Sequence, residues 1–185
     1  MNPELTLGTA RMLLEPLSVD HAPVVYEGMR DPKVYEYIPE PPPRSLEELT
    51  GRFNVLSARK SPDGKEVWLN WPARLRDRGK YVGIFQATVC PGRTAEIAYI
   101  IFAEYRRQGY AMEGCRRIVE HLFASYSLMR ISAKIDTANR ASIGMIERLG
   151  FERVLITRNA DVIRGELRDE YTYEITPGQF VAPVS

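Results

Sequence analysis

The clearest hydrophobic pattern in the chain lies between residues 111 and 126. Ala111, Cys115, Ile118, Val119, Leu122, Phe123 and Tyr126 recur at helical spacing, while Glu113, Arg116, Arg117 and Glu120 fill the opposite side. This predicts a long amphipathic helix with one face on a core. Just before it, Glu96 to Phe102 reads as a strand that is apolar on both faces and therefore central in its sheet. Alternation of Val67, Leu69, Trp71, Ala73 and Leu75 predicts another strand, in which Pro72 calls for an edge or a bulge. Tyr81 to Cys90 forms a third, entered through Asp77-Arg78-Gly79 and ended by Pro91-Gly92.

The flanks are less regular. Residues from about Ala10 to Leu17 predict a first strand, and Asp20 caps a short helix with Pro23 in its first turn. Tyr37 to Arg44, with four prolines, is a stiff connector: a spacer or a wall of a substrate entrance. Ser45-Leu46-Glu47-Glu48 has the form of a capping box, and Leu46, Leu49, Phe53 and Leu56 then give an apolar stripe. Ile131, Ala133 and Ile135 alternate as a strand. A helix from about Arg140 stops at Leu149-Gly150, and Phe151–Thr157 and Glu170–Ile175 close the pattern around a polar segment containing Gly165. Strands and helices alternate without an internal repeat, which predicts an α/β or α+β fold.

Composition narrows the function classes. The net charge of +1 gives no overall attraction to nucleic acid or to an anionic membrane, although 25 Lys and Arg leave room for a local basic site. The longest apolar run, Ile97 to Ala103, is too short to cross a bilayer, and Met1-Asn2-Pro3-Glu4 lacks a signal-peptide pattern. A cytoplasmic location is the expectation. Cys90 and Cys115 fall in apolar patterns and read as reduced core thiols. His21 and His121 are far apart, so neither a metal site nor a Ser-His-Asp triad is expected.

The candidate chemistry lies in Tyr99-Ile-Ile-Phe-Ala-Glu-Tyr-Arg-Arg-Gln-Gly-Tyr-Ala111. A buried strand runs through a short loop into the strongest helix. The first-turn amides of such a helix have no intrahelical acceptors and make an anion site. Gly109 permits close backbone approach, and Arg106 and Arg107 add positive charge; together these suit a pyrophosphate. An arginine-rich polar turn before a core helix is the plainer alternative. The chain lacks G-x-x-x-x-G-K-[ST], and no G-x-G-x-x-G follows the first strand, so nucleotidase and dinucleotide readings have no support.

Arg106-Arg107-Gln108-Gly109-Tyr110-Ala111 resembles the R/Q-x-x-G-x-G/A acetyl-CoA motif of the GCN5-related N-acetyltransferases (GNAT). Ala95-Glu-Ile-Ala-Tyr99, Asn139-Arg-Ala-Ser142 and Arg148-Leu-Gly-Phe151 resemble motifs of the RimJ/RimL-like branch, which modifies ribosomal proteins. Ala98, Gly114 and Gln108 depart from the branch pattern, which usually has glycine, alanine and lysine there. The resemblance runs from about Leu7 to Ile175 and implies a single N-acetyltransferase domain over 1–185. It implies a mixed, strongly bent sheet of about seven strands, helices on both faces and a central strand pair that splays apart.

The same resemblance assigns residues. Backbone atoms of Ile100 and Ile101 would meet pantetheine, residues 106–111 the pyrophosphate, and Asn139 the pantetheine arm. Glu96 would serve as base toward the attacking amine and Ser142 as partner of the departing thiolate. Each also has a plain structural reading, as a strand-end glutamate and a helix N-terminal serine. The implied reaction is acetyl transfer from acetyl-CoA, as co-substrate, to a primary amine, with a protein or peptide N-terminus first and a small-molecule amine second. A catalytically silent acyl-CoA-binding module is the third reading. Glu36, Glu40, Glu47 and Glu48 are candidates for an acidic acceptor pocket, and Tyr171 and Tyr173 for a homodimer contact.

Overall fold

The computed structural model describes residues 2–180; Met1 and 181–185 of the expected 1–185 domain lie outside the described residues. The chain opens with a small hairpin, β1 (Leu7–Gly8) and β2 (Met12–Leu14), where a single strand over residues 10–17 was expected. Leu7, Met12 and Leu14 are fully buried, so the hairpin is held by side chains rather than by length. Helix α1 (His21–Met29) follows Asp20, whose carboxylate makes no capping bond. Its backbone is already helical (φ −66°, ψ −17°), whereas a capping residue needs extended geometry. Helix α2 (Leu46–Leu56) begins as expected at Ser45, whose Oγ accepts from the Glu48 N–H at 3.1 Å. The Glu48 carboxylate turns back one residue further, to the Arg44 N–H, so the capping box is only half made.

A long antiparallel run follows: β3 (Val67–Leu75), β4 (Tyr81–Cys90) and β5 (Thr94–Ile101). β3 is not an edge, since β2 covers it on one side. Beyond β2 the chain keeps the same register on β3, Glu15 N–H donating to Pro72 O at 3.0 Å and Leu17 N–H to Asn70 O at 2.9 Å, and Pro72, which has no N–H to return, costs the ladder one bond there. A bulge sits next to it, at Ala73/Arg74. Helix α3 (Tyr110–Tyr126), β6 (Arg130–Asp136) and helix α4 (Arg140–Arg148) come next. The hairpin of β7 (Glu152–Ile163) and β8 (Glu166–Ile175) ends the fold. Arg164 and Gly165 form its two-residue turn, both at positive φ (53° and 84°).

The eight strands form one sheet in the order β1-β2-β3-β4-β5-β6-β8-β7, and β5–β6 is its parallel pair. Consecutive residues of β4 set the two layers. Ile84 faces the cluster built on α1 and α2, and Phe85 faces the larger one under α3 and α4. Helices therefore cover both faces.

One irregularity organises the molecule. β5 pairs with β6 only at Thr94–Arg130, Ala95–Ile131 and Glu96–Ser132. From Ile97 onward β5 stays with β4, while β6 continues with β8 as far as Asp136–Glu170. The two strands fork, and the backbone groups of β5 facing the gap have no strand partner.

Candidate active site

The fork opens a cleft of about 440 Å³, walled by the separated parts of β5 and β6, the start of α4, Tyr35 and residues 37–40, and the β7–β8 hairpin. Glu96 stands where the strands part; Ile100 lies along β5; Asn139 and Ser142 begin α4. All four line the cleft. The other expected ligand residues lie elsewhere. Ile101 is buried in the core, and its carbonyl accepts from Arg106 Nε at 3.3 Å. Residues 106–111 form the separate entrance to α3.

At that entrance Gly109 has φ 84° at the N-cap of α3, a conformation that favours glycine. A Cβ there would stand 3.3 Å from Arg11 Nη2, so backbone forms the surface beside the helix end. Arg11 itself was not singled out by the sequence. It bridges to α3 through Glu113 (N to Oε1 2.8 Å, Nε to Oε2 2.6 Å), donates to Gln108 O at 2.9 Å, and lies over the Tyr110 ring. Arg106 is also engaged, donating to Lys33 O as well as to Ile101 O. Arg107 has positive φ and an exposed side chain. Its guanidinium makes no hydrogen bond or ion pair among the described residues. The glycine turn and the free amides of a seventeen-residue helix, with Arg11 held on Gln108 and the unengaged Arg107 next in sequence, make a set that fits a pyrophosphate, while the Arg106 guanidinium is turned to Ile101 and Lys33.

The cleft chemistry is dominated by carboxylates. Glu96 Oε2 lies 3.1 Å from Lys134 Nζ, so the candidate base carries a counter-ion. Asp136 takes a two-pronged contact from Arg168 (2.8 and 3.0 Å). Glu170, opposite Asp136 in the ladder, has no ion-pair partner among the described residues. Burial pushes its carboxyl above the usual carboxylate range; Lys134 opposes this, and Asp161, Glu96 and Asp136 add to it. The sequence pattern showed Glu170 only as the start of a closing strand.

Asn139 Oδ1 accepts from the Ser142 N–H at 3.1 Å. The asparagine, not the serine, caps α4, which leaves the asparagine NH₂ as the group available to a ligand. Ser142 Oγ instead accepts from the Tyr99 hydroxyl at 2.8 Å. Of the four glutamates proposed for an acidic pocket, Glu40 lines the cleft, Glu36 does not, Glu47 faces a separate groove on α2, and Glu48 is turned to Arg44. Tyr37 to Glu40 line the cleft too, so the first half of the proline-rich connector is a wall. Tyr173 is buried and donates to Glu147; Tyr171 packs under Arg153. Both tyrosines are spent within the chain.

A family model described as an acetyltransferase (GNAT) domain matches residues 11–152. The chain belongs to this family. It is an acyltransferase, and the forked sheet is the GNAT fold. A Bacillus subtilis relative, the uncharacterized N-acetyltransferase YoaA, is 26% identical over 171 residues, covering 91% of this chain and 95% of its own. The crystal structure of a GNAT-family acetyltransferase from Bacillus anthracis matches with a TM-score of 0.79 at 25% identity, covering 93% of this chain and 98% of that one. A spermidine N-acetyltransferase from Vibrio cholerae, solved with CoA and spermine, shares the fold at 19% identity and a TM-score of 0.78, covering 91% and 96%. Among the described residues of this GNAT protein, no helix is long and apolar enough to cross a membrane. Cys115 is buried and Cys90 partly so, both as free thiols.

Proposed function

We propose that this GNAT protein acts in the cytoplasm as a single N-acetyltransferase domain of the RimJ/RimL-like branch, acetylating a primary amine. A protein or peptide N-terminus is the first acceptor class. The observation that carries the reading is the fork, with Glu96 at its base and Ser142 on the facing helix. Bound acetyl-CoA would supply an activated thioester. The amides at Gly109, Tyr110 and Ala111, with Arg106, Arg107 and Gln108 around them, hold the pyrophosphate. The Ile101 backbone, which faces the gap, and the Asn139 amide hold the pantetheine arm, whereas the Ile100 backbone is turned to β4.

Amines of pKa ~8 to ~10.4 are largely protonated at neutral pH, so the acceptor needs a base. Glu96 takes that proton, directly or through water, and Lys134 keeps its carboxylate in place. Ser142 donates a hydrogen bond to the departing sulfur. Holding two substrates in register supplies much of the remaining acceleration.

A second acceptor class has its own support. Glu40, Asp161 and Glu170 line the cleft without ion-pair partners among the described residues, which favours a compact polycationic amine. Thiol release from acetyl-CoA, measured across peptide, polyamine and aminoglycoside acceptors, separates the classes. Glu96→Gln should lower kcat ~10²-fold or more and recover partly at high pH, whereas Ser142→Ala should not recover. Wild-type rates in both variants would overturn these roles. No release with any amine would make the protein a silent acyl-CoA-binding module.

A further inference from the structure

Tyr99 and Ser142 meet across the open part of the fork. Tyr99 belongs to β5 beyond its last pair with β6, and Ser142 stands in the first turn of α4; both line the cleft. The direction of their 2.8 Å hydrogen bond matters. A phenol is more acidic than an alkyl hydroxyl and is the stronger donor of the two, so the Tyr99 hydroxyl donates to Ser142 Oγ, and the Ser142 backbone N–H is taken by Asn139. The serine's own hydroxyl proton therefore has no acceptor among the described residues and is free for a group in the cleft. Burial pushes the Tyr99 hydroxyl far above the usual range of a phenol, so it stays a neutral donor at every working pH. Its ring is fixed as well. Phe85 stacks on it, with centroids 6.2 Å apart, and Gly114 on α3 leaves the space that Phe85 occupies.

We propose that Tyr99 is a positioning residue for Ser142. It fixes the serine oxygen and polarises it, so that the Ser142 O–H is presented to the sulfur of CoA. Successive hydrogen bonds of this kind strengthen one another. No proton leaves Tyr99: Ser142 donates a hydrogen bond to the thiolate, which takes its proton from water after departure. The assignment rests on the acetyl-transfer reading of this cleft, and it is testable apart from that reading.

The first readout needs no turnover. CoA is bound to the full chain, and its thiol is titrated by the ultraviolet absorbance of the thiolate in wild type, Tyr99→Phe, Ser142→Ala and the double variant. An ordinary thiol titrates near ~8.5. The wild-type complex should titrate lower, each single variant should move it back toward the free value, and the double should go no further than Ser142→Ala. The second readout is kcat against affinity. Tyr99→Phe should lose roughly tenfold in kcat, a fraction of the ~10²–10⁴-fold typical of a whole acid–base group, with CoA affinity within about twofold. The double variant should match Ser142→Ala alone.

If Tyr99→Phe titrates and turns over like wild type while Ser142→Ala is slowed, the Tyr99 assignment is overturned and the role of Ser142 stands. Independent, additive losses overturn it as well. If Ser142→Ala is itself unchanged in both readouts, the reading of Ser142 fails and Tyr99 fails with it. Should the phenylalanine variant not fold, 3-fluorotyrosine at position 99 keeps the ring and strengthens the donor. The bound thiol must then titrate lower still, and an unchanged titration overturns the proposal.

Discussion

At the scale of single residues, Glu170 links stability to the cleft. Its carboxyl holds a proton more tightly in the folded chain than in the unfolded one, because burial and the neighbouring carboxylates disfavour its charge. The stabilising contribution is therefore complete below the ordinary carboxylate range and is lost as pH rises through the raised value. At neutral pH the ionised group is a net cost to the fold. Glu170→Gln should raise the melting temperature near pH 7 and lose that advantage below about pH 4. A variant that melts no higher than wild type at neutral pH would show that a counter-ion already compensates Glu170. Residues of this kind were poorly legible in the sequence. Glu96, Asn139 and Ser142 stood in recognisable motifs, and all three line the cleft. Arg11 touches Glu113 across 102 positions, and Tyr99 touches Ser142 across 43. Nothing local announces such pairs, because only the folded sheet brings them together.

At the scale of elements, strongly periodic segments were readable, and those with broken periods were not. α3 and the central strand at 94–101 follow their hydrophobic patterns closely. β7 runs to Ile163 rather than stopping near Thr157, because bulges at Arg153/Leu155 and Thr157/Asp161 shift the alternation that would have marked it. The first hairpin has strands of two and three residues, too short to show any period. Gly114, one of the departures from the branch pattern, has a packing reason. A Cβ there would lie 2.2 Å from Phe85 Cζ, so α3 can sit over β4 only without a side chain at that point. Gly114→Ala should cost about 1–3 kcal/mol, seen as a lower denaturation midpoint. Phe85→Leu in the same chain should return part of it. An unchanged midpoint would mean that the Phe85 ring moves aside freely.

At the scale of the whole molecule, the outline of the sheet and the fork followed from the motifs, with one strand more than the seven expected. CoA and acetyl-CoA should raise the melting temperature by similar amounts, since both carry the pyrophosphate and the pantetheine. A ligand at a hundred times its dissociation constant contributes about 2.7 kcal/mol to the folded state. Gly109→Val should remove the shift while leaving circular dichroism unchanged, because a β-branched residue at φ 84° is strained and crowds Arg11. A normal shift in that variant would place the pyrophosphate elsewhere. The fork has a last consequence, for timing. Three residue pairs join the β1–β5 blade to the β6–β8–β7 blade, so a guest lying between them completes the sheet like a keystone in an arch. With the coenzyme as that guest, as proposed above, whatever it gains there would have to be given back before the next cycle starts, and a tighter keystone makes a slower arch to reopen.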